Sequence, residues 1–320
     1  SGLMSVDALR SKLLKAKSAN TLPKIVIPVH LAGQSCNMKE IFKLSKEFKI
    51  YATSRKEGVF KDQIEWSCFD LLDFDSLNNW LENNNLDIVV HCAAMVNIDQ
   101  CEENQGIAED LHYKTTKIIS RYLNKTGGRL IYISTDHLFD GRKKGLYTEK
   151  DRVNPLNTYA RTKLEGERVA LSMENGLAIR TNIIGRSRSE KPSFAEWIIK
   201  DLADGKKLNL FDDVFFSPLH VSDLSDMVFQ LIQKQKTGLY NASSLTSLSK
   251  YEFGLMAADV FNLESDNIVK SSIKYGDLNT DRPKNMGLSS AKLSAVLNKK
   301  MPSPERGIEL LKYQYDNYRV

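Results

Sequence analysis

The chain has 320 residues, 42% hydrophobic and 27% charged, with a formal net charge of +5. That length holds one large α/β domain or two coupled ones, and the charge is spread without a basic block, so neither nucleic acid nor a membrane surface is called for as a partner. No apolar run reaches spanning length, no secretory leader is legible, and the four cysteines (Cys36, Cys68, Cys92, Cys101) form no C-x-x-C pair; a reduced, cytoplasmic protein without a metal site is expected.

Residues 5–18 carry Val6, Leu9, Leu13 and Leu14 at helical spacing. This amphipathic helix is expected to pack on the body of the fold, with docking of a partner as the alternative. Residues 24–29 (KIVIPV) read as the first strand and 38–47 as the following helix. The turn between them is where a dinucleotide-binding βαβ unit places its glycines, so that pyrophosphate can approach the helix N-terminus. Only Gly33 is present; His30 and Cys36 occupy the flanking positions, with Gln34 beside the glycine. The second strand, 49–54, runs into Arg55 and Lys56 without the acidic residue that would bind a ribose 2′-hydroxyl. Ser54 and Arg55 suit a 2′-phosphate instead, since a guanidinium binds phosphate through paired, charge-assisted hydrogen bonds.

A third strand over 64–69 leads into Asp70 and Leu71, a helix covers 76–84, and a fourth strand over 87–92 opens into Ala93, Ala94, Met95, Val96 and Asn97. Small residues at a strand end let a cofactor backbone lie against the chain. A long helix over 107–123 precedes the strand 129–134 (RLIYIS), and another helix covers 158–173. Tyr159 and Lys163, four apart, share one face of it. An ammonium held near a phenol favours the phenolate, lowering a tyrosine pKa from ~10. With the Thr135 hydroxyl at the end of the preceding strand, the three make a proton-transfer device aimed at a carbonyl or an alcohol. Asp136 is expected to orient the loop after Thr135, and His137 to pack or support. After the strand 177–181 and Asn182 the alternation loosens, with helices over 193–202, 221–233 and 251–261 and a strand over 237–242.

The text STD, then FDG, then NPLNTYARTK resembles the extended short-chain dehydrogenase/reductase family, and within it the dTDP-4-dehydrorhamnose reductase group, whose members carry STDYVFDG followed by PLN-x-Y-x-x-x-K. Further blocks match in order: NLFDDVFF with Ser217-Pro218, then TGLYNA, then Arg282-Pro283-Lys284-Asn285. The likeness spans about residues 24–315 and implies a Rossmann-type doubly wound parallel sheet with a smaller C-terminal α/β substrate-binding region. The dinucleotide domain would cover 24–182, with 218–243 returning to it, and the substrate region 183–217 and 244–320, after an N-terminal extension over 1–23.

The resemblance also implies an NADP(H)-dependent reductase of a nucleotide-linked 4-keto-6-deoxy sugar, NADP(H) being preferred over NAD(H), in polysaccharide biosynthesis. Thr135, Tyr159 and Lys163 would be catalytic. His30, Gly33, Gln34, Ser54, Arg55, Asp70, Leu71, Ala93 and Ala94 would hold the cofactor, and Met95, Asn97, Asn182 and Arg282 the substrate. For Arg282 a diphosphate contact and a structural salt bridge both stand. A nucleotide-sugar epimerase or dehydratase, and a non-catalytic regulatory or binding subunit on the same scaffold, are the alternatives. Assembly stays open between a monomer and a homodimer, the commonest closed form.

Overall fold

The computed structural model describes residues 24–28, 49–55, 64–187 and 192–317. The expected helices over 5–18 and 38–47, and with them His30, Gly33 and Gln34, lie outside these residues. The central sheet is parallel throughout. Its strands are β1 (Lys24–Pro28), β2 (Lys49–Ser54), β3 (Glu65–Cys68), β4 (Ile88–His91), β5 (Arg129–Ile133) and β6 (Leu177–Ile184), joined by β10 (Gly238–Ala242) in the order β10-β6-β5-β4-β1-β2-β3. A short strand, β9 (Pro218–His220), pairs with the far end of β6, Asn182 opposite Pro218. The order runs outward in both directions from β1, so the crossover after β3 returns to the middle of the sheet, and ligands of such sheets bind at the carboxyl ends beside that switch.

Strand periodicity explains why both faces are covered. Ile88 and Val90, Ile131 and Ile133, and Leu177 and Ile179 point to one face, where they meet Leu224, Met227 and Leu231 of the helix Val221–Gln233. Val89, Leu130 and Tyr132 point to the other, onto Leu77 and Leu81 of the helix Phe74–Asn84 and Ile119 and Leu123 of Thr115–Thr126. Successive residues serve opposite layers, and a continuous apolar run is what a strand buried on both sides requires.

The C-terminal part has its own core, with Ile198 and Leu202 of the helix Phe194–Ala203, Phe253 and Ala257 of Lys250–Phe261, and Ile308 and Leu311 of Pro304–Asn317. It carries two small sheets. β7 (Leu208–Phe211) pairs in parallel with β12 (Ile268–Ser271), and β8 (Phe215–Phe216) pairs antiparallel with β11 (Leu248–Ser249).

Two expectations are corrected. The strand read over 177–181 extends to Ile184, because its far half pairs with β9. The single helix read over 107–123 is instead three pieces: Gln105–Glu109, a π-turn at Asp110–Lys114, and Thr115–Thr126. Within this wide turn two side chains donate to the His112 carbonyl, Thr116 Oγ1 at 2.6 Å and the Tyr132 hydroxyl at 3.5 Å. Such bulges recur at functional sites.

Candidate active site

The cleft sits where β4, β5 and β6 deliver their carboxyl ends. It measures about 160 Å3 and is lined by Ala94, Thr135, Asp136, Tyr159, Lys163 and Asn182, among others. Its floor is the helix Thr158–Leu171, whose start is fixed twice. Asn157 caps it by accepting from the Ala160 N–H at 2.9 Å, and the Glu102 carboxylate accepts from the Thr158 N–H at 2.6 Å and the Thr158 hydroxyl at 2.7 Å. A carboxylate is well placed at a helix N-terminus, and that N–H holds Glu102 below its ordinary pKa.

Tyr159, Lys163 and Glu167 follow at intervals of four and all point inward, so this helix buries a polar stripe. The Lys163 ammonium donates to the Ile133 carbonyl at 2.6 Å and stands 4.3 Å from the Tyr132 ring centre. Burial lowers its pKa to about 7. One turn on, Glu167 accepts from Arg180 Nη2 at 2.6 Å and Nε at 3.0 Å, and from the Ser134 hydroxyl at 2.7 Å. This buried fork ties the helix to β5 and β6, where side-chain charges survive because each has a partner.

The acidified phenol expected from the four-residue spacing is overturned. Burial pushes Tyr159 well above the ordinary tyrosine range, opposed by the Thr135 hydroxyl beside it. The ammonium that was to lower it is engaged with the Ile133 carbonyl instead. Two imidazole edges enclose the ring, His112 at 5.8 Å and His137 at 5.7 Å between ring centres. The Met95 N–H donates to His112 Nε2 at 2.9 Å, so the ring proton is on Nδ1, 2.7 Å from Thr162 Oγ1. That neutral form is enforced by burial, which with the Lys163 charge depresses the His112 pKa. His137, expected to pack or support, is likewise held neutral, its pKa pulled to about 3 by burial.

Asp136 is buried at the rim. Asn182 Nδ2 donates to its Oδ2 at 2.7 Å and Thr135 Oγ1 to its Oδ1 at 3.3 Å. Burial raises its pKa, opposed by the Lys250 ammonium, which stacks 3.3 Å over the Phe216 ring and is itself pushed down by burial. Sequence reasoning missed Lys250, Glu167 and His112. Each bonds or packs against residues distant from it in sequence.

Thr135, Tyr159, Lys163, Ala94 and Asn182 thus meet in one cleft, with Ala93 buried behind. Ser54 and Arg55 end β2 farther along the same sheet edge; Ser54 Oγ accepts from the Trp66 indole N–H at 3.1 Å, and Arg55 is exposed. Asp70 Oδ1 accepts from the Leu72 N–H at 3.0 Å, and Leu71 is buried. Met95 and Asn97 are taken up with local structure, Asn97 capping the helix Ile98–Glu103. For Arg282 the salt bridge is what the structure holds: Nη2 lies 3.0 Å from Asp99 Oδ2, while Thr280 Oγ1 donates to Oδ1 at 2.7 Å.

The family model described as the RmlD substrate binding domain matches residues 37–315. The chain belongs to the RmlD-like extended short-chain dehydrogenase/reductases. It is similar to the probable low-salt glycan biosynthesis reductase Agl14 of Haloferax volcanii, with 24% identity over 78% of this chain and 84% of the relative. It is also similar to methionine adenosyltransferase 2 subunit beta of Rattus norvegicus, with 30% identity over 71% of this chain and 70% of the relative. Among solved structures, the dTDP-4-dehydrorhamnose reductase of Bacillus anthracis, in complex with NADP, superposes with a TM-score of 0.80 at 23% identity, over 92% of this chain and 99% of that one. At that identity the likeness establishes the fold. No helix among the described residues is long and apolar enough to cross a membrane.

Proposed function

We propose that the chain is an NADPH-dependent reductase of a nucleotide-linked 4-keto-6-deoxy sugar. The observation that carries this reading is the convergence of Thr135, Tyr159 and Lys163 on one buried cleft at the strand ends. The residues present fit the nicotinamide half of the cofactor. Lys163 is a desolvated ammonium at the cleft with donors beyond the one it gives Ile133, and Ala93 and Ala94 leave the end of β4 unobstructed. Ser54 and Arg55, with no acid beside them, favour the 2′-phosphate form. Residues 24–182 with 218–243 would take the cofactor, and 183–217 with 244–320 the sugar nucleotide. The described cysteines Cys68, Cys92 and Cys101 are free thiols, in keeping with a cytoplasmic enzyme.

The cofactor, when bound, supplies the hydride. The chain supplies the proton and the placement. Tyr159, kept neutral by burial, is the right form to act as acid, giving its proton to the alkoxide that develops on the sugar. Thr135 holds the same oxygen, Lys163 binds ribose hydroxyls, and the flanking neutral imidazoles exclude water without adding charge. A phenol held protonated favours reduction over the reverse abstraction that an epimerase needs first.

The test is NADPH consumption with a dTDP-4-keto-6-deoxy sugar, compared with NADH. Turnover that favours NADPH supports the reading, and binding of neither nucleotide refutes it. A second reading has one observation of its own, the 30% identity to the rat beta subunit. A non-catalytic subunit would co-elute with a methionine adenosyltransferase catalytic subunit and leave the ketosugar unreduced.

A further inference from the structure

The chain that follows β12 is held at both of its stems by one carboxylate. Asp213, just past β7, accepts from the Ser272 hydroxyl at 2.7 Å, from the Ile273 N–H at 2.8 Å and from the Lys284 ammonium at 2.8 Å. A loop whose ends are pinned together is a compact unit of its own. Its near side is seated on the C-terminal body, where a Cβ added at Gly276 would lie 2.6 Å from the Phe211 ring. Its far side crosses to the other half of the molecule. There the Thr280 hydroxyl donates to Asp99 Oδ1 at 2.7 Å, Arg282 Nη2 to Asp99 Oδ2 at 3.0 Å, and Asn157 Nδ2 to the Asp281 carbonyl at 3.0 Å. Both landing points border the cleft. Asp99 follows Ile98, Asn157 caps the helix that carries Tyr159, and Ile98 and Tyr159 line the cavity. Residues 272–284 thus form a strap, rooted in one half and fastened beside the cleft on the other.

The fastening leaves one group unserved. Arg282 has five N–H donors to place, yet its Nε–H is buried without a hydrogen-bond partner, which is costly for a donor. Asp99 meets the guanidinium through a single oxygen, its other one being taken by Thr280. The two side chains of the pair are 31% and 33% exposed, and an ion pair so placed is worth little. A diphosphate, with several anionic oxygens, could meet Nε and Nη2 together in the paired geometry that a guanidinium favours.

We infer that Asp99 is the catch of this strap, and that the diphosphate of an incoming nucleotide releases it by replacing the aspartate on Arg282. The identity of the anion rests on the nucleotide-sugar reading above; the catch itself does not. Asp99 is here a positioning residue that acts through Arg282. It competes for the guanidinium rather than presenting it, and the two roles predict opposite signs.

The test compares full-length wild type, Asp99→Asn, Arg282→Gln and the double variant. Asn keeps an acceptor for Thr280 and removes only the charge. Without ligand, amide exchange over 273–282, read by mass spectrometry, should be about 2- to 5-fold faster in Asp99→Asn, the scale of one half-exposed ion pair. Calorimetric titration with dTDP should give a Kd about 2- to 5-fold lower in Asp99→Asn than in the wild type, because the competitor is gone. That gain should vanish in the Arg282→Gln background, since the aspartate acts only through that side chain. Inorganic pyrophosphate, titrated in parallel, should bind more weakly than dTDP; equal binding would overturn the assignment of the anion to a nucleotide. A dTDP affinity that falls or stays level in Asp99→Asn, as a carboxylate that merely orients Arg282 requires, overturns the inference. So do unchanged exchange and a failure of both proteins to bind dTDP. If dTDP binds as expected and no ketosugar is reduced, the reductase reading fails and the catch stands.

Discussion

Lowering the pH from about 7 to about 5 should cost this fold a large share of its stability. Four described histidines are held neutral, His91, His112 and His220 buried and His137 half-buried: His91 and His137 with pKa values pulled to about 3, His220 to about 4, and His112 also pushed down, in each case chiefly by desolvation. In the unfolded chain each titrates near ~6.5. Between the folded and unfolded values the unfolded chain binds more protons, so stability is full above ~6.5 and is lost as the pH falls toward the depressed values. For His91, His137 and His220 the loss by about pH 5 is about 2 kcal/mol each, and His112 adds in the same direction. Asp136, whose pKa is raised, works oppositely and returns part of this. The net, on the order of 5 kcal/mol, is comparable with the whole stability of an ordinary domain, about 5–15 kcal/mol. Urea unfolding followed by fluorescence across that range measures it directly. His220→Asn supplies the control, since Asn can keep the N-cap that His220 Nδ1 provides to the Ser222 N–H and removes one titrating ring. Its stability should fall less steeply by about 1.4 kcal/mol per pH unit. A wild-type stability that is flat from neutral to pH 5 would refute the reasoning.

Tyr159→Phe should cut turnover by about 100-fold or more while leaving the unfolding midpoint nearly unchanged, because the ring stays between its two imidazoles; steady-state kinetics and thermal unfolding read the two parts. Glu167→Gln should destabilise by about 3–5 kcal/mol, as the Arg180 charge is left buried without its counterion, and the paired change Glu167→Leu with Arg180→Met should be milder than the single one. Gly166→Ala should cost about 1–3 kcal/mol, because a Cβ there runs into the His112 carbonyl and the Tyr132 hydroxyl; a thermal midpoint equal to wild type would show that the helices can part without penalty.

The strands of the sheet were legible because strands covered on both faces must be apolar in nearly every position. β2 is found over the six residues expected, and β5 ends one residue early. The candidate site was legible where its residues sit in local text, as in Thr135 and the Tyr159–Lys163 spacing, which the structure brings to one cleft. Its electrostatics were not, since the Tyr159 pKa depends on burial and on where the Lys163 ammonium points. Of the larger apolar side chains on that helix only Leu164 is buried; Val169 and Leu171 are half-exposed, while Lys163 and Glu167 are buried. A hydrophobic-periodicity argument passes over such a face, because the residues that bury there are charged and their partners, Ile133 and Arg180, come from other strands. The π-turn was equally invisible, as no residue type marks an extra residue in a helix.

That extra residue does more than shape one turn. Each residue advances an α-helix by about 100°, so a segment carrying one surplus residue rotates everything before it relative to everything after. Before the surplus lie Asp99, which grips Arg282, and Glu102, which grips the start of the Tyr159 helix. After it lies Leu123, seated in the core beneath the sheet. Deleting a single position between Asp110 and Lys114 would restore regular winding and swing both carboxylates away from their partners. The alignment of the C-terminal arginine with the Tyr159 helix is therefore set by a phase offset wound into the same segment that brings the His112 ring against Tyr159.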